Sequence, residues 1–145
     1  MKVTINQNSN QEEAEIIINC SYLDKTVKKI IDYITQFTFT IEGENNGKIY
    51  QLPMDKIFYI ESVDGRTYLY DKADLYLCKK SLQVLEEQLG NTPFVRVSKT
   101  CLLNTLYLRC VETYPNHRLK AELGNGEQII ISRNYIDNLY KKIKS

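Results

Sequence analysis

"IFYIESVDGRTYLY", residues 57–70, is the stretch on which the architecture turns. Two runs rich in β-branched and aromatic residues flank Asp64-Gly65. That dipeptide best satisfies a two-residue type I′ turn, in which both central positions need positive φ. The stretch reads as an antiparallel hairpin. Tyr59, Tyr68 and Tyr70 alternate along it as half-buried strand residues do.

Moving outward towards the C-terminus, the same pattern recurs. DLYLCKK (74–80) is a strand leading into KSLQVLEEQLG (80–90), where Leu82, Leu85 and Leu89 form a short apolar helical stripe and Gly90 a stop. FVRVSKTCLLN (94–104) and LYLRCVETY (106–114) are strand-like, and a Pro115-Asn116 turn comes after them. RLKAELGNGEQIIIS (118–132) is a second hairpin, with Leu119, Ala121 and Leu123 alternating against Lys120 and Glu122. RNYIDNLYKKIK (133–144) closes the chain as a helix with Ile136, Leu139 and Ile143 inward. Ser132 is its expected N-cap, and Ile131 with Ile136 a hydrophobic staple.

Towards the N-terminus, GENNGK (43–48) is a turn-rich break, and the domain boundary is placed there. Ahead of it, residues 2–6 and EIIINC (15–20) read as short strands and TFTIEG (38–43) as another. SYLDKTVKKIIDYITQF (21–37) reads as a helix, with Leu23, Val27, Ile30, Ile31 and Ile34 at helical spacing and Ser21 with Asp24 as a capping box. The expected organisation is a strand–helix–strand extension over residues 1–45 and a mostly β domain over 46–145.

Composition narrows the classes of function. With 145 residues and 43% hydrophobic content, the chain can bury one core with a small appendage. No apolar run approaches the roughly 20 residues of a membrane span, and MKVTINQNSNQEEAE has no signal-peptide core, so a cytoplasmic location is expected. The four cysteines lack a Cys-x-x-Cys pair and there is a single histidine, so no metal site is expected and the thiols read as reduced and mostly buried. His117 sits in a turn without a nucleophile or carboxylate fixed beside it, no Gly-rich phosphate loop is present, and Glu86-Glu87 read as solvent contacts. An enzyme is therefore disfavoured, and no cofactor or small-molecule substrate is expected.

Charge points to an anion. Net charge is +1, but residues 1–90 carry 10 Lys/Arg against 14 Asp/Glu, whereas residues 91–145 carry 9 against 4. Charge alone leaves a solvated basic surface equally open. A repeated local pattern adds to it. VSKTCL (97–102) and ISRNYI (131–136) each present a cation immediately after a strand, with Ser98 and Thr100 beside Lys99, and Ser132 and Asn134 beside Arg133. Such side chains contact phosphate oxygens and base edges, and arginine can grip guanine O6 and N7 together. Arg133 also breaks a local rule, since a cation at a helix N-terminus opposes the dipole unless an anion lies there.

From about residue 48 to 143 the chain resembles the LytTR domain, a mostly β DNA-binding module of bacterial transcription regulators. IFYIESVDGRTYLY, SLQVLEEQLGNTPFVRVSKTCLLN and LGNGEQIIISRNYIDNLYKKI carry the resemblance in order and separation. It implies a mainly β (α+β overall) fold of stacked antiparallel sheets with short helices. It also implies sequence-specific binding of double-stranded DNA through loops inserted in successive major grooves, without a helix-turn-helix. The contacting positions that it implies are Arg66 with Thr67 in ESVDGRTY, Lys99 with Ser98 and Thr100 in VSKT, and Arg133 with Asn134 in ISRN. Asn104 is expected to hold a turn instead. The family's redox cysteine position is Val97 here, so Cys101 does not inherit that role. Residues 1–45 are too short for a receiver domain, and stand-alone members of this kind are often encoded beside a small membrane protein, a partner implied by analogy. A homodimer on DNA is expected, joined through the extension. The competing readings are a single-stranded nucleic-acid binder stacking bases on tyrosines, and a protein-interaction module.

Overall fold

The computed structural model describes residues 1–37 and 39–144. One helix precedes the sheets: α1 (Lys25–Phe37). Ten strands follow: β1 (Thr40–Asn45), β2 (Lys48–Pro53), β3 (Tyr59–Val63), β4 (Arg66–Tyr70), β5 (Leu75–Cys78), β6 (Phe94–Ser98), β7 (Cys101–Asn104), β8 (Leu108–Tyr114), β9 (Arg118–Leu123) and β10 (Gln128–Ile131). Helix α2 (Leu82–Gln88) lies between β5 and β6, and α3 (Ile136–Lys144) closes the chain. Every strand pairing is antiparallel. The seven-stranded sheet has the order β2-β1-β5-β4-β3-β7-β6, and the three-stranded sheet β10-β9-β8.

Asp64 (φ 52°) and Gly65 (φ 77°) make the expected turn between β3 and β4, where Val63 pairs with Arg66. Asn46 and Gly47 repeat the same conformation between β1 and β2. The break at which the sequence divides the chain is thus a hairpin turn within the large sheet, and β1 also pairs with β5.

Two cores share β6 and β7. One lies under α2, where Leu82, Leu85 and Leu89 meet Ile41, Ile57, Ile60, Leu69, Phe94 and Leu102. The other packs Val95, Val97, Cys101 and Leu103 against Leu119, Ala121, Leu123, Ile131 and Leu139. Residues 101–104 are all buried because β7 has a covered surface on both faces.

Several local expectations need correction. Residues 2–6 and 15–20 form no strand and are exposed, since β propensity yields a strand only where an edge pairs with it. Helix α1 starts at Lys25, and Asp24 is the capping residue: its Oδ1 accepts the Val27 amide at 2.9 Å, and Ser21 and Leu23 lie outside the helix. The Ser132 hydroxyl makes no capping bond. The segment Arg133–Tyr135 is a 3-10 turn, and the Tyr135 amide donates to the Ser132 carbonyl at 2.9 Å, so the main chain satisfies a group that the hydroxyl is expected to cap. Cys78 and Cys101 are buried, but Cys20 and Cys110 are exposed. Burial holds the Cys101 thiol protonated, its pKa pushed up to about 12.

Candidate nucleic-acid interface

Register brings the basic loops to one end of both sheets. Glu61 pairs with Cys101, and the Ser62 amide donates to the Thr100 carbonyl at 2.8 Å, which places the Asp64-Gly65 turn beside the β6–β7 turn. The β6–β7 pairing shifts between Arg96 and Ser98, leaving Val97 as a bulge. The Val97 carbonyl accepts the Ser132 amide at 2.9 Å, tying the turn after β10 to the turn after β6. Leu119 pairs with Ile131, so the β8–β9 turn lies at that end as well.

Lys99, Asn116, Arg118, Arg133 and Asn134 line, with Ser98 and Thr100, an open depression of about 510 Å³. Lys99, Thr100, Arg133 and Asn134 are exposed. Ser98 shapes the loop: its hydroxyl accepts the Thr100 amide at 3.2 Å and lies 3.4 Å from the Thr100 hydroxyl. Arg66 is exposed on the adjacent hairpin, outside the depression. Thr67 is buried on the opposite face of β4, so it supports the hairpin from within.

Arg96 fixes the Lys99 loop from behind. Its Nε donates to the Ser98 carbonyl at 2.7 Å, Nη2 donates to the Lys99 carbonyl, and Nη1 pairs with Glu86 Oε1 at 2.9 Å. Asn104 is fully buried, donating to the Ile57 carbonyl at 2.8 Å and accepting the Leu106 amide at 3.0 Å. It holds a turn, as expected.

Sequence reasoning missed Asn116 and Arg118. Both Asn116 (φ 65°) and His117 (φ 59°) are left-handed, which closes the turn tightly. Arg118 donates from Nε to the Pro115 carbonyl at 2.9 Å and lies 4.9 Å over the Tyr114 ring, so its guanidinium is held in place. The signal was available: counting the second hairpin outward from Asn125-Gly126 sets residue 118 opposite residue 132. Lys79 and Lys80 were missed too. Thr67 pairs with Cys78, so both lysines follow β5 out at the same end as Arg66. Asp64 is the one acid in these turns, whereas the turn at Asp71–Asp74 at the other end mixes both signs.

Among the described residues no group of three or more His, Cys, Asp and Glu could hold a metal ion, and no helix is long and apolar enough to cross a membrane. No two α-helices follow one another in the chain among the described residues, so no helix-turn-helix is formed. The arrangement offers cations and amide side chains on several loops, the chemistry of phosphate and base contacts.

Comparison with known proteins bears on the family and the fold. The chain is 22% identical over 103 residues to the sensory transduction protein LytT of Enterococcus faecalis, covering 71% of this chain and 42% of that one. It is 23% identical over 121 residues to the transcriptional regulatory protein LytR of Staphylococcus aureus, covering 83% and 49%. The chain thus spans less than half the length of these two relatives. A Staphylococcus aureus protein named as an HTH-type transcriptional regulator is 21% identical over 145 residues, covering 99% of this chain and 98% of that one. The solved LytTr DNA-binding domain of a Bacillus cereus response regulator shares the fold, with a TM-score of 0.68, 21% identity, and coverage of 73% and 97%. The family model described as the LytTr DNA-binding domain matches residues 47–144, and the chain belongs to that family.

Proposed function

We propose that this chain binds double-stranded DNA sequence-specifically as a transcription regulator, through the loops at the basic end of its two sheets. The observation that carries this reading is the convergence of Lys99, Arg118, Arg133 and Asn134 on one open depression, with Arg66 on the neighbouring hairpin. Loops grouped along one end suit insertion into successive major grooves, whose base edges carry a unique pattern of donors and acceptors. Arg66, Lys99, Arg118 and Arg133 approach phosphates and bases, while Asn134 donates and accepts at a base edge or phosphate. The protein acts as a homodimer on paired half-sites, joined through residues 1–45. DNA as partner sets its place in the cytoplasm, and it does no catalysis.

Stacking single-stranded bases on tyrosine is less well supported. Tyr59 and Tyr70 stack on each other, half-buried, with ring centroids 4.3 Å apart, and Tyr107 stacks on Phe58 at 3.9 Å. The rings are occupied by their own neighbours. Binding isotherms across a salt series, run with duplex and with single strands of one sequence, test the proposal. Tighter duplex binding, with log affinity falling linearly against log salt by about 0.9 per phosphate contact, is expected. Preference for the single strand, or affinity insensitive to salt, would overturn it.

A further inference from the structure

The large sheet ends on an edge of unusual character. Its β6 edge is covered, since Ser132 bonds to Val97 and α3 packs alongside. The β8 edge of the small sheet is guarded by exposed Arg109, Glu112 and Thr113, the polar protection that sheet edges ordinarily carry. Strand β2 is bounded by Lys48 and Pro53 but leaves apolar side chains open between them: Ile49 is 65% exposed and Tyr50 39%. Elsewhere in the chain, Ile16 (67%) and Ile17 (69%) stand exposed in EIIINC, a β-forming run with no strand partner among the described residues.

We infer that residues 15–20 of one copy add as a strand to the β2 edge of a second copy, reciprocally, in a two-fold dimer. The two surfaces match in kind. Ile17 beside Ile49 covers the outer face, and Ile16 and Ile18 flank Tyr50 on the side of β2 that also carries buried Leu52. Main-chain hydrogen bonds supply the affinity, as in other strand additions.

A second copy is the occupant because the single chain holds both surfaces and leaves them apart, residues 15–20 exposed and β2 unpaired on its outer side among the described residues. One added strand of six residues is small against the roughly 1,200 Å² at which specific interfaces begin, and reciprocal exchange doubles the buried area. The inference rests on the dimer proposed above and names its surface.

Light scattering at tens of micromolar protein, without DNA, is the first test. The wild-type chain runs as a dimer. Ile17→Lys and Ile49→Lys each halve the mass, with unchanged circular dichroism and unchanged binding to a duplex carrying one half-site. A chain with Ile17→Cys and Ile49→Cys, in a background of Cys20→Ser and Cys110→Ser, forms an interchain disulfide dimer under mild oxidation, to a greater extent than either single substitution. If both lysine variants remain dimeric, the inference fails while the dimer reading stands. A disulfide that joins positions 17 and 49 within one chain overturns the inference. A wild-type monomer at these concentrations overturns the inference and the DNA-free dimer together, while one-half-site binding still reports on the basic end independently.

Discussion

Arg133 opens the segment that ends in α3, exposed and immediately after Ser132, whose amide is committed to Val97. A cation at that end of a helical segment is unfavourable by itself, and a bound phosphate or guanine removes the conflict. Arg133→Ala should weaken specific duplex binding by about 1–3 kcal/mol, the worth of one good base contact. Anisotropy titrations should show this while thermal melting stays unchanged or rises slightly; equal losses of affinity and melting temperature would make Arg133 structural. Lys99 stands on the neighbouring turn, its backbone carbonyl held by Arg96 and its side chain exposed. As a phosphate contact it carries little sequence information. Lys99→Ala should weaken all duplexes nearly alike and make the plot of log affinity against log salt shallower by about one unit. An unchanged slope would remove Lys99 from the interface.

Strands and turns decide where those cations point. Asn104 ends β7 and locks that end of the strand to Ile57 and Leu106 with its side-chain amide. Asn104→Ala leaves buried partners unsatisfied and should cost about 1–3 kcal/mol in urea unfolding. Affinity for DNA per folded molecule should stay the same; a selective loss of affinity would place Asn104 at the interface. The elements with a local signature were legible in the sequence. Asp64-Gly65 marks its hairpin because few dipeptides take two positive φ values, and Leu82, Leu85 and Leu89 mark α2 because all three are buried on one side. EIIINC misleads for the complementary reason: strand formation depends on a partner edge, which no stretch of sequence displays. Arg118 stands beside Arg133 through the Leu119–Ile131 register, which is legible only by pairing the two strands outward from Asn125-Gly126 and shows in neither strand alone. Thr67 is adjacent to Arg66 in sequence but alternates to the other face of β4. Ser132 departs from its expected capping role because a 3-10 turn uses its main-chain bond differently from an α-helical turn.

At the scale of the molecule, a module of this size with a few contacting loops offers a footprint on the order of 600–1,000 Å². Two copies on neighbouring half-sites multiply their binding through effective concentration. The dimer should therefore occupy half-sites facing one side of the duplex, spaced by roughly one or two turns of about 10 base pairs. Inserting about 5 base pairs between them should cut affinity sharply, and inserting about 10 should restore much of it. Indifference to both insertions, or one chain per site, would contradict the dimer. On the proposed reading, DNA should meet the basic end of the two sheets and nowhere else. Backbone amide shifts recorded while titrating the protein with a duplex of about 20 base pairs test it most directly. The largest changes should cluster at Gly65–Arg66, Ser98–Thr100, Asn116–Arg118 and Ser132–Asn134, with the turns at Asn46-Gly47, Asp71–Asp74 and Asn125-Gly126 unmoved. Changes centred on those distal turns or on α1, with the basic turns unmoved, would contradict it.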